Sequence, residues 1–419
     1  MNRCHETLAS YEKVIELTPD SAEAYNTRAI ILNKLNRYNE ALASYDKAIA
    51  LKPDRAELYN NRGVTLEEMR RFDDALADYD KAIELKPDYA NAHNNRGATL
   101  PNLKRYDAAV ASCDTAIKLR PDFAEAYNNR GVALHEMERY DDALASYDEA
   151  IALKLDCAEA HKNRGAALYQ LKRLDDALAS CDRAIALKPD YAEAYQTGGL
   201  CLVNKGDMQE AERMYLKALE LKTDFPDPVL SLTQIRKYRD KDHPDVKNIR
   251  SLLDEPGISL HGRECLYFSL GKIYDDCGLY DEAFECYRQA NEMRNTAVSY
   301  NPSRVAEFTD SIINVFSRDF LAQPFPFASD SQSPLFIVGM PRSGTTLMAH
   351  ILSNHRSIGL AGELPTILDF ISLLPELIGN RIPYPQAAKH ITPVVATRLI
   401  NDYAKRLTRN AGSDVPRVI

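Results

Sequence analysis

The chain of 419 residues has no tryptophan, few glycines (17) and no excess of basic residues. Its 52 Lys and Arg against 61 Asp and Glu give a formal net charge of −9. General nucleic-acid and anionic-membrane binders need basic surfaces to neutralise phosphates, so this balance argues against both. There is no run of transmembrane length and no apolar signal core at the N-terminus. We therefore expect no nucleic-acid and no membrane partner.

The eight cysteines are scattered, and none of them forms a C-x-x-C pair. This spacing argues against a cysteine-based zinc site or redox motif, and we predict that the chain binds no metal. Cys113 and Cys181 stand where related segments have an aromatic residue, so we interpret them as small buried hydrophobes. Scattered free thiols are typical of a reducing compartment, and the predicted localisation is cytoplasmic.

Small residues recur every 34 residues along the first half of the chain, and a larger residue, tyrosine or cysteine, recurs with them. The small residues are Ala41, Ala75, Ala109, Ala143, Ala177 and Ala211; Ala48, Ala82, Ala116, Ala150, Ala184 and Ala218; and Gly63, Gly97, Gly131, Gly165 and Gly199. The larger residues are Tyr45, Tyr79, Cys113, Tyr147, Cys181 and Tyr215. The pattern resembles the tetratricopeptide repeat. The resemblance implies helical hairpins stacked into an α-solenoid with a concave face over residues 1–224.

Beyond residue 224 the period fails and proline becomes frequent. We predict an irregular connector over residues 225–263, with one helix near 246–253, then a further repeat and helical linker over 264–330. Gly271, Ala283, Tyr287 and Ala290 carry that further repeat. Pro101 lies inside the first helix of its repeat and should kink or split it.

Two polar patterns accompany the repeats. Asparagines precede an arginine at Asn61, Asn95, Asn129 and Asn163. They resemble the asparagine ladder of O-linked N-acetylglucosamine transferases, which implies that they hold a polypeptide in the concave face. The alternative is a solvated remnant of the repeat. The arginines Arg28, Arg62, Arg96, Arg130 and Arg164 should each pair with an aspartate of their own or the preceding hairpin, because a half-buried guanidinium needs an acceptor.

A second kind of motif begins at residue 335. Leu335 to Val338 is a short apolar run that predicts a buried parallel strand. Glycines and a proline follow, and Thr345 and Thr346 are suited to cap the helix that starts there. A strand, a glycine-containing loop and a helix N-terminus together favour anion binding, because free N–H groups and the helix dipole converge on one point.

The loop differs from an ATP-binding P-loop in one respect. Thr345 stands where that motif has lysine, which argues against nucleotide hydrolysis, and Arg342 is its only cation. The run P-R-S-G-T-T resembles the 5′-phosphosulfate-binding loop of sulfotransferases. The resemblance implies 3′-phosphoadenosine 5′-phosphosulfate as co-substrate, no metal, and donor binding by Pro341, Arg342, Ser343, Gly344, Thr345 and Thr346.

The resemblance extends to bacterial proteins that join tetratricopeptide repeats to a sulfotransferase domain, and more distantly to protein-tyrosine sulfotransferases. It implies that Glu363 is the catalytic base and that Arg342 contacts the sulfonate. The alternative for Glu363 is a helix cap, and His355 is expected to be structural. In that family the catalytic lysine and the 3′-phosphate ligands lie further on, so the chain is expected to be truncated at both ends and inactive by itself.

The resulting prediction is a mainly α protein. A tetratricopeptide-repeat α-solenoid is followed at residues 331–419 by the N-terminal part of an α/β P-loop-like sulfotransferase domain. The predicted function is sulfuryl transfer to a hydroxyl acceptor, protein tyrosine being one candidate, with the repeats recruiting a polypeptide. The alternative function is a catalytically dead binding scaffold.

Overall fold

The computed structural model describes residues 2–297, 301–322, 334–337, 345–362, 366–379, 382–411 and 417–418. The chain divides into two units, Met1–Val298 and Ser299–Ile419. The described part of the first unit is helical throughout. Its α-helices are α1 Asn2–Leu17, α2 Ala22–Lys34, α3 Tyr38–Leu51, α4 Ala56–Glu68, α5 Phe72–Leu85, α6 Ala90–Thr99, α7 Tyr106–Leu119, α8 Ala124–Glu136, α9 Tyr140–Leu153, α10 Ala158–Gln170, α11 Leu174–Leu187, α12 Ala192–Lys205, α13 Met208–Leu221, α14 Pro226–Ile235, α15 Pro244–Asp254, α16 Leu260–Asp276 and α17 Tyr280–Ala297.

The predicted repeats are confirmed as helical hairpins that pack through their small residues. In the hairpin of α4 and α5, a Cβ added at Gly63 would lie 2.6 Å from Cε1 of the buried Tyr79. At Gly97 the same added atom would lie 2.5 Å from the Sγ of Cys113, which is also fully buried. Glycine is therefore required where the first helix crosses the large residue of the second, and cysteine fills that position as the sequence predicts.

Each hairpin turns through a residue in the left-handed backbone region. Arg70, the second residue after α4, has φ of 57°, and the next amide, that of Arg71, donates to the Leu66 carbonyl at 2.9 Å. This closes the helix as a glycine would. Among the described hairpins of the first unit, glycine takes this place at Gly206 and Gly278, and the other turns have Asn36, Arg70, Lys104, Glu138 and Lys172. Most of these turns therefore carry no glycine signal in the sequence.

Two adjacent glycines in α12 provide a matched test of this packing. A Cβ at Gly199 would lie 2.4 Å from Tyr215 Cε1, whereas one at Gly198 would have no neighbour closer than 3.7 Å. We expect Gly199→Ala to lower the free energy of unfolding by about 1–3 kcal/mol through overpacking. Gly198→Ala should raise it by about 0.5–1 kcal/mol through helix propensity. Urea denaturation of both variants measures the difference; equal effects would contradict the packing argument.

Proline determines two further features of the first unit. α6 ends at Thr99, and a 3-10 helix, Leu100–Leu103, follows with Pro101 near its start, so the predicted split is confirmed. The stretch 225–263 is not the irregular connector expected. It holds α14, α15 and the start of α16. Pro226, Pro228 and Pro244 lie in the first turns of α14 and α15, where a backbone N–H would have no partner within the helix.

The second unit combines helices with a small parallel sheet. Its elements are α18 Pro302–Val315, α19 Arg318–Leu321, α20 Thr345–Ser353, β1 Ile358–Gly359, α21 Thr366–Leu377, a 3-10 helix Gln386–His390, α22 Pro393–Ala411 and β2 Arg417–Val418. The 3-10 helix and α22 are separated ahead of Pro393, and α18 ends at Val315. No helix among the described residues combines the length and apolar character needed to cross a membrane.

The sheet forms around β2. Ile358 and Gly359 of β1 pair in parallel with Arg417 and Val418, and Pro334 makes a parallel bridge to Val418. The strand expected over 335–338 is represented by this bridge and by the Leu335 amide, which donates to the Val418 carbonyl at 2.8 Å. Phe336 is 67% exposed, so the expectation of a buried strand is wrong for the described residues 335–337.

Candidate functional site

The loop before α20 is the first candidate site. α20 begins at Thr345, so Thr345 and Thr346 occupy its first turn, where backbone N–H groups have no partner within the helix. Thr346 is exposed and Thr345 partly buried. Pro341, Arg342, Ser343, Gly344 and the expected base Glu363 lie outside the described residues. Their assigned roles therefore stay predictions.

The direction of the strands relates the two predicted parts of this site. β2 lies between β1 and the segment at Pro334, and all three run parallel. Along the chain, the loop follows the carboxyl end of the segment 334–337, and Glu363 follows the carboxyl end of β1. Open α/β sheets bind ligands at that edge. The segment 334–337 and β1 therefore end at the same edge of the sheet.

His355 follows α20 and has a structural contact. Its amide donates to the Leu352 carbonyl at 3.0 Å, and its Nδ1 accepts from the Ser357 amide at 3.2 Å. These bonds shape the turn between α20 and β1. They agree with the structural role expected for this histidine.

A cavity of about 470 Å³ in the same unit is a poor alternative site for a sulfate donor. It lies between α18 and the 3-10 helix at 386–390, and its lining includes Glu307 and Asp310 with Lys389 as the one cation. Two carboxylates oppose the binding of a phosphosulfate, so the charge at this cavity does not suit the donor.

The asparagines of the repeats form pairs between neighbouring hairpins. Asn61 Nδ2 donates to Asn26 Oδ1 at 3.1 Å. The same bond joins each following pair, at 2.9–3.0 Å, in Asn95 to Asn60, Asn129 to Asn94 and Asn163 to Asn128. Asn163 is buried, and the other donors are partly buried. The alternative of a solvated remnant is therefore wrong. The amides hold adjacent repeats together, and peptide binding by them stays a prediction.

In α10, Lys162 occupies the position that Asn94 and Asn128 occupy in the two preceding repeats. Its Nζ donates to Asn163 Oδ1 at 2.5 Å, and burial lowers the pKa of its ammonium group. Glu159 lies near it and accepts from Asn128 Nδ2 at 3.3 Å. This end of the series is thus charged, whereas the pairs before it are neutral amides.

The predicted arginine–aspartate pairs are confirmed for four of the five arginines. The guanidinium lies 2.6–2.7 Å from a carboxylate 16 residues earlier, on the preceding hairpin, in Arg62–Asp46, Arg96–Asp80, Arg130–Asp114 and Arg164–Asp148. Arg28 instead reaches Glu12 at 3.7 Å. In the sixth repeat Gly198 replaces the arginine that would face Asp182. Burial raises the pKa of Asp182, and repulsion by Glu210 raises it further. These arginines therefore link neighbouring repeats through ion pairs.

The comparisons with known families agree with this architecture. Tetratricopeptide-repeat models match residues 10–43, 30–69, 56–89, 78–111, 100–138, 130–192, 192–225 and 266–296. Together they span well over half of the chain, which therefore belongs to the tetratricopeptide-repeat proteins. A model described as the sulfotransferase family matches residues 334–394, the segment that contains the loop and α20.

Individual relatives resemble parts of the chain. A protein of Aquifex aeolicus (strain VF5) without assigned function is 29% identical over 153 residues, which is 36% of this chain and 20% of that protein's own length. The crystal structure of YrrB, a TPR protein with an unusual peptide-binding site, is 25% identical and covers 44% of this chain and 95% of its own, with a TM-score of 0.36. MamA from Desulfovibrio magneticus RS-1 is also 25% identical, covering 41% and 96%, with a TM-score of 0.37.

Proposed function

We propose that the protein is a sulfotransferase that transfers the sulfuryl group of 3′-phosphoadenosine 5′-phosphosulfate to a hydroxyl acceptor, with protein tyrosine as one candidate. The observation that carries the proposal is the match of residues 334–394 to the sulfotransferase family model. The loop sequence supports it, because Thr345 replaces the lysine of nucleotide-hydrolysing P-loops and Arg342 supplies the cation. No metal is required by this chemistry.

The proposed roles follow the charge that develops during transfer. The acceptor hydroxyl must lose a proton, which Glu363 would take as general base. Negative charge builds on the leaving phosphate, and Arg342 with the N–H groups at the start of α20 would stabilise it. Both groups follow carboxyl ends of parallel strand segments, as noted above.

Donor binding tests the proposal on the chain itself. Titration with 3′-phosphoadenosine 5′-phosphate should give saturable binding, and Arg342→Ala should weaken it by roughly 1.5–3 kcal/mol, the scale of a charged hydrogen bond. Arg356→Ala, an exposed arginine after α20, is the matched control and should bind normally. Absence of binding by the unaltered chain would favour the alternative, in which residues 334–394 are a catalytically inactive remnant and the repeats alone function as a binding scaffold.

The repeats would recruit a polypeptide along their concave face. Asn61, Asn95 and Asn129 are partly buried, and each uses one amide N–H in the pairs described above. A primary amide has a second N–H and an oxygen, so it could still contact the backbone of an extended chain. Such contacts give affinity with little sequence preference. Free cysteines throughout the described repeats are compatible with the proposed cytoplasmic location.

Peptide-array binding measures this role. The double variant Asn61→Ala and Asn129→Ala should bind fewer peptides, and bind them several-fold more weakly, than the unaltered chain. Asn91→Ala is the control, because Asn91 is exposed on α6 and accepts from Arg120 at 3.1 Å, outside the asparagine pairs. Circular dichroism should confirm that all three proteins are folded. Unchanged peptide binding by the folded double variant would restrict these asparagines to joining the repeats.

A further inference from the structure

A thiol, an imidazole and a carboxylate converge where α14 meets α16. His261 and Cys265 lie one turn apart on α16, and Asp227 lies in the first turn of α14. His261 Nε2 is 3.0 Å from Asp227 Oδ1 and 3.6 Å from Cys265 Sγ. The three potential ligand atoms all lie within 4.8 Å of one another.

Close packing holds the two helices at this place. A Cβ added at Gly262 would lie 3.1 Å from Pro226 Cγ, so the start of α14 rests directly against the residue after His261. The Ser259 hydroxyl caps α16 by accepting from the Gly262 amide at 3.0 Å. The convergence of Asp227 with His261 is therefore imposed by the backbone and does not depend on two long surface side chains meeting.

The distances suit a small tetrahedral ion. With zinc–sulfur and zinc–nitrogen bonds of about 2.3 and 2.0–2.1 Å, neighbouring ligand atoms stand roughly 3.3–3.7 Å apart. The Cys265–His261 separation already falls in that range. Asp227 must move away from His261 by a few tenths of an ångström, and the partial exposure of both side chains, 36% and 64%, allows this.

The ligand types decide which ion is favoured. Calcium and magnesium select oxygen ligands, whereas one sulfur, one imidazole nitrogen and one carboxylate oxygen suit zinc. Cys265 is 2% exposed and forms the inner wall of the cluster, and exposed His261 leaves a path from solvent. Glu264 is occupied elsewhere, since it pairs with Arg294 at 2.8 Å.

We propose that Asp227, His261 and Cys265 bind one zinc ion, with water as the fourth ligand, and that the ion joins α14 to α16. The scattered cysteines predicted no metal site, yet His261 and Cys265 lie four residues apart, on one face of α16. Asp227 precedes His261 by 34 residues, so only the packing of the helices reveals the third ligand. The ordinary alternative is a surface His–Asp ion pair beside a buried thiol.

Cobalt substitution tests the site on the full chain. When metal-free protein is titrated with Co²⁺, a thiolate-to-cobalt charge-transfer band should appear and saturate at one Co²⁺ per chain. Zn²⁺ should displace the Co²⁺, abolish the band and raise the melting temperature. Cys265→Ser should abolish the band. Asp227→Asn should weaken Zn²⁺ binding by more than the roughly 10–100-fold that loss of a ligand-orienting group causes.

Two controls separate this site from general thiol or histidine binding. Cys277→Ala removes a thiol at the other end of α16, and His243→Ala removes a histidine that pairs with Asp245 at 3.5 Å without a cysteine beside it. Both should keep the band and the affinity. If the unaltered chain gives no band, or if Asp227→Asn, checked as folded by circular dichroism, binds zinc as tightly as the unaltered chain, the proposal is overturned.

Discussion

Glu363→Gln is expected to lower the rate of sulfuryl transfer by about 10²–10⁴-fold, the usual contribution of a general base. Donor binding should stay nearly unchanged, because the base acts on the acceptor hydroxyl and not on the donor. Turnover is measured with labelled donor for the altered and the unaltered chain.

The control for this variant is Glu376→Gln. Glu376 is an exposed carboxylate on α21, which begins at Thr366, shortly after Glu363. It should retain full activity. If Glu363 is instead a cap of α21, its replacement should lower stability by about 0.5–2 kcal/mol and leave turnover intact. Wild-type turnover by the Glu363→Gln protein would therefore reject the base and favour the cap.

Arg62→Met is expected to lower the free energy of unfolding by about 2–4 kcal/mol, somewhat less than loss of one partner from a fully buried pair because Arg62 is 26% exposed. Arg62 donates to Asp78 at 2.6 and 2.7 Å and to Asp46 at 2.7 Å. The Asp78 side chain is only 7% exposed, so losing the guanidinium leaves a buried carboxylate without its cation. Urea denaturation followed by circular dichroism measures the change.

The other repeats provide the control for this variant. At the position of Asp78 four of them have a serine, Ser44, Ser112, Ser146 and Ser180, and Arg130 donates to the Ser146 hydroxyl at 3.0 Å. Arg130→Met should cost only about 1 kcal/mol, since no buried charge is left behind. Adding Asp78→Ser to Arg62→Met should restore most of the lost stability. Equal costs for Arg62→Met and Arg130→Met would show that the buried carboxylate is not the cause.

Hydrophobic and small-residue periodicity was enough to predict the repeats. The positions of Gly63 and Tyr79 recur at a constant spacing. That spacing is sufficient to predict the fold of the repeats, because each hairpin packs mainly on its sequence neighbours. The arginine–aspartate pairing was predictable for the same reason, since an unpaired half-buried guanidinium is costly. The loop around Arg342 was recognised from a motif, and its geometry lies outside the described residues.

Other features depend on contacts between distant residues, and the sequence does not reveal these. The asparagine pairs join side chains 35 residues apart, such as Asn60 and Asn95, through the offset between neighbouring hairpins. The prolines after residue 225 suggested an irregular connector, yet Pro226 and Pro244 begin helices because tertiary packing stabilises the segments that follow. The same packing places Asp227 beside His261. The sequence by itself therefore determined the helical hairpin and its packing on the adjacent repeats. Only the tertiary structure decided which polar groups meet across helices.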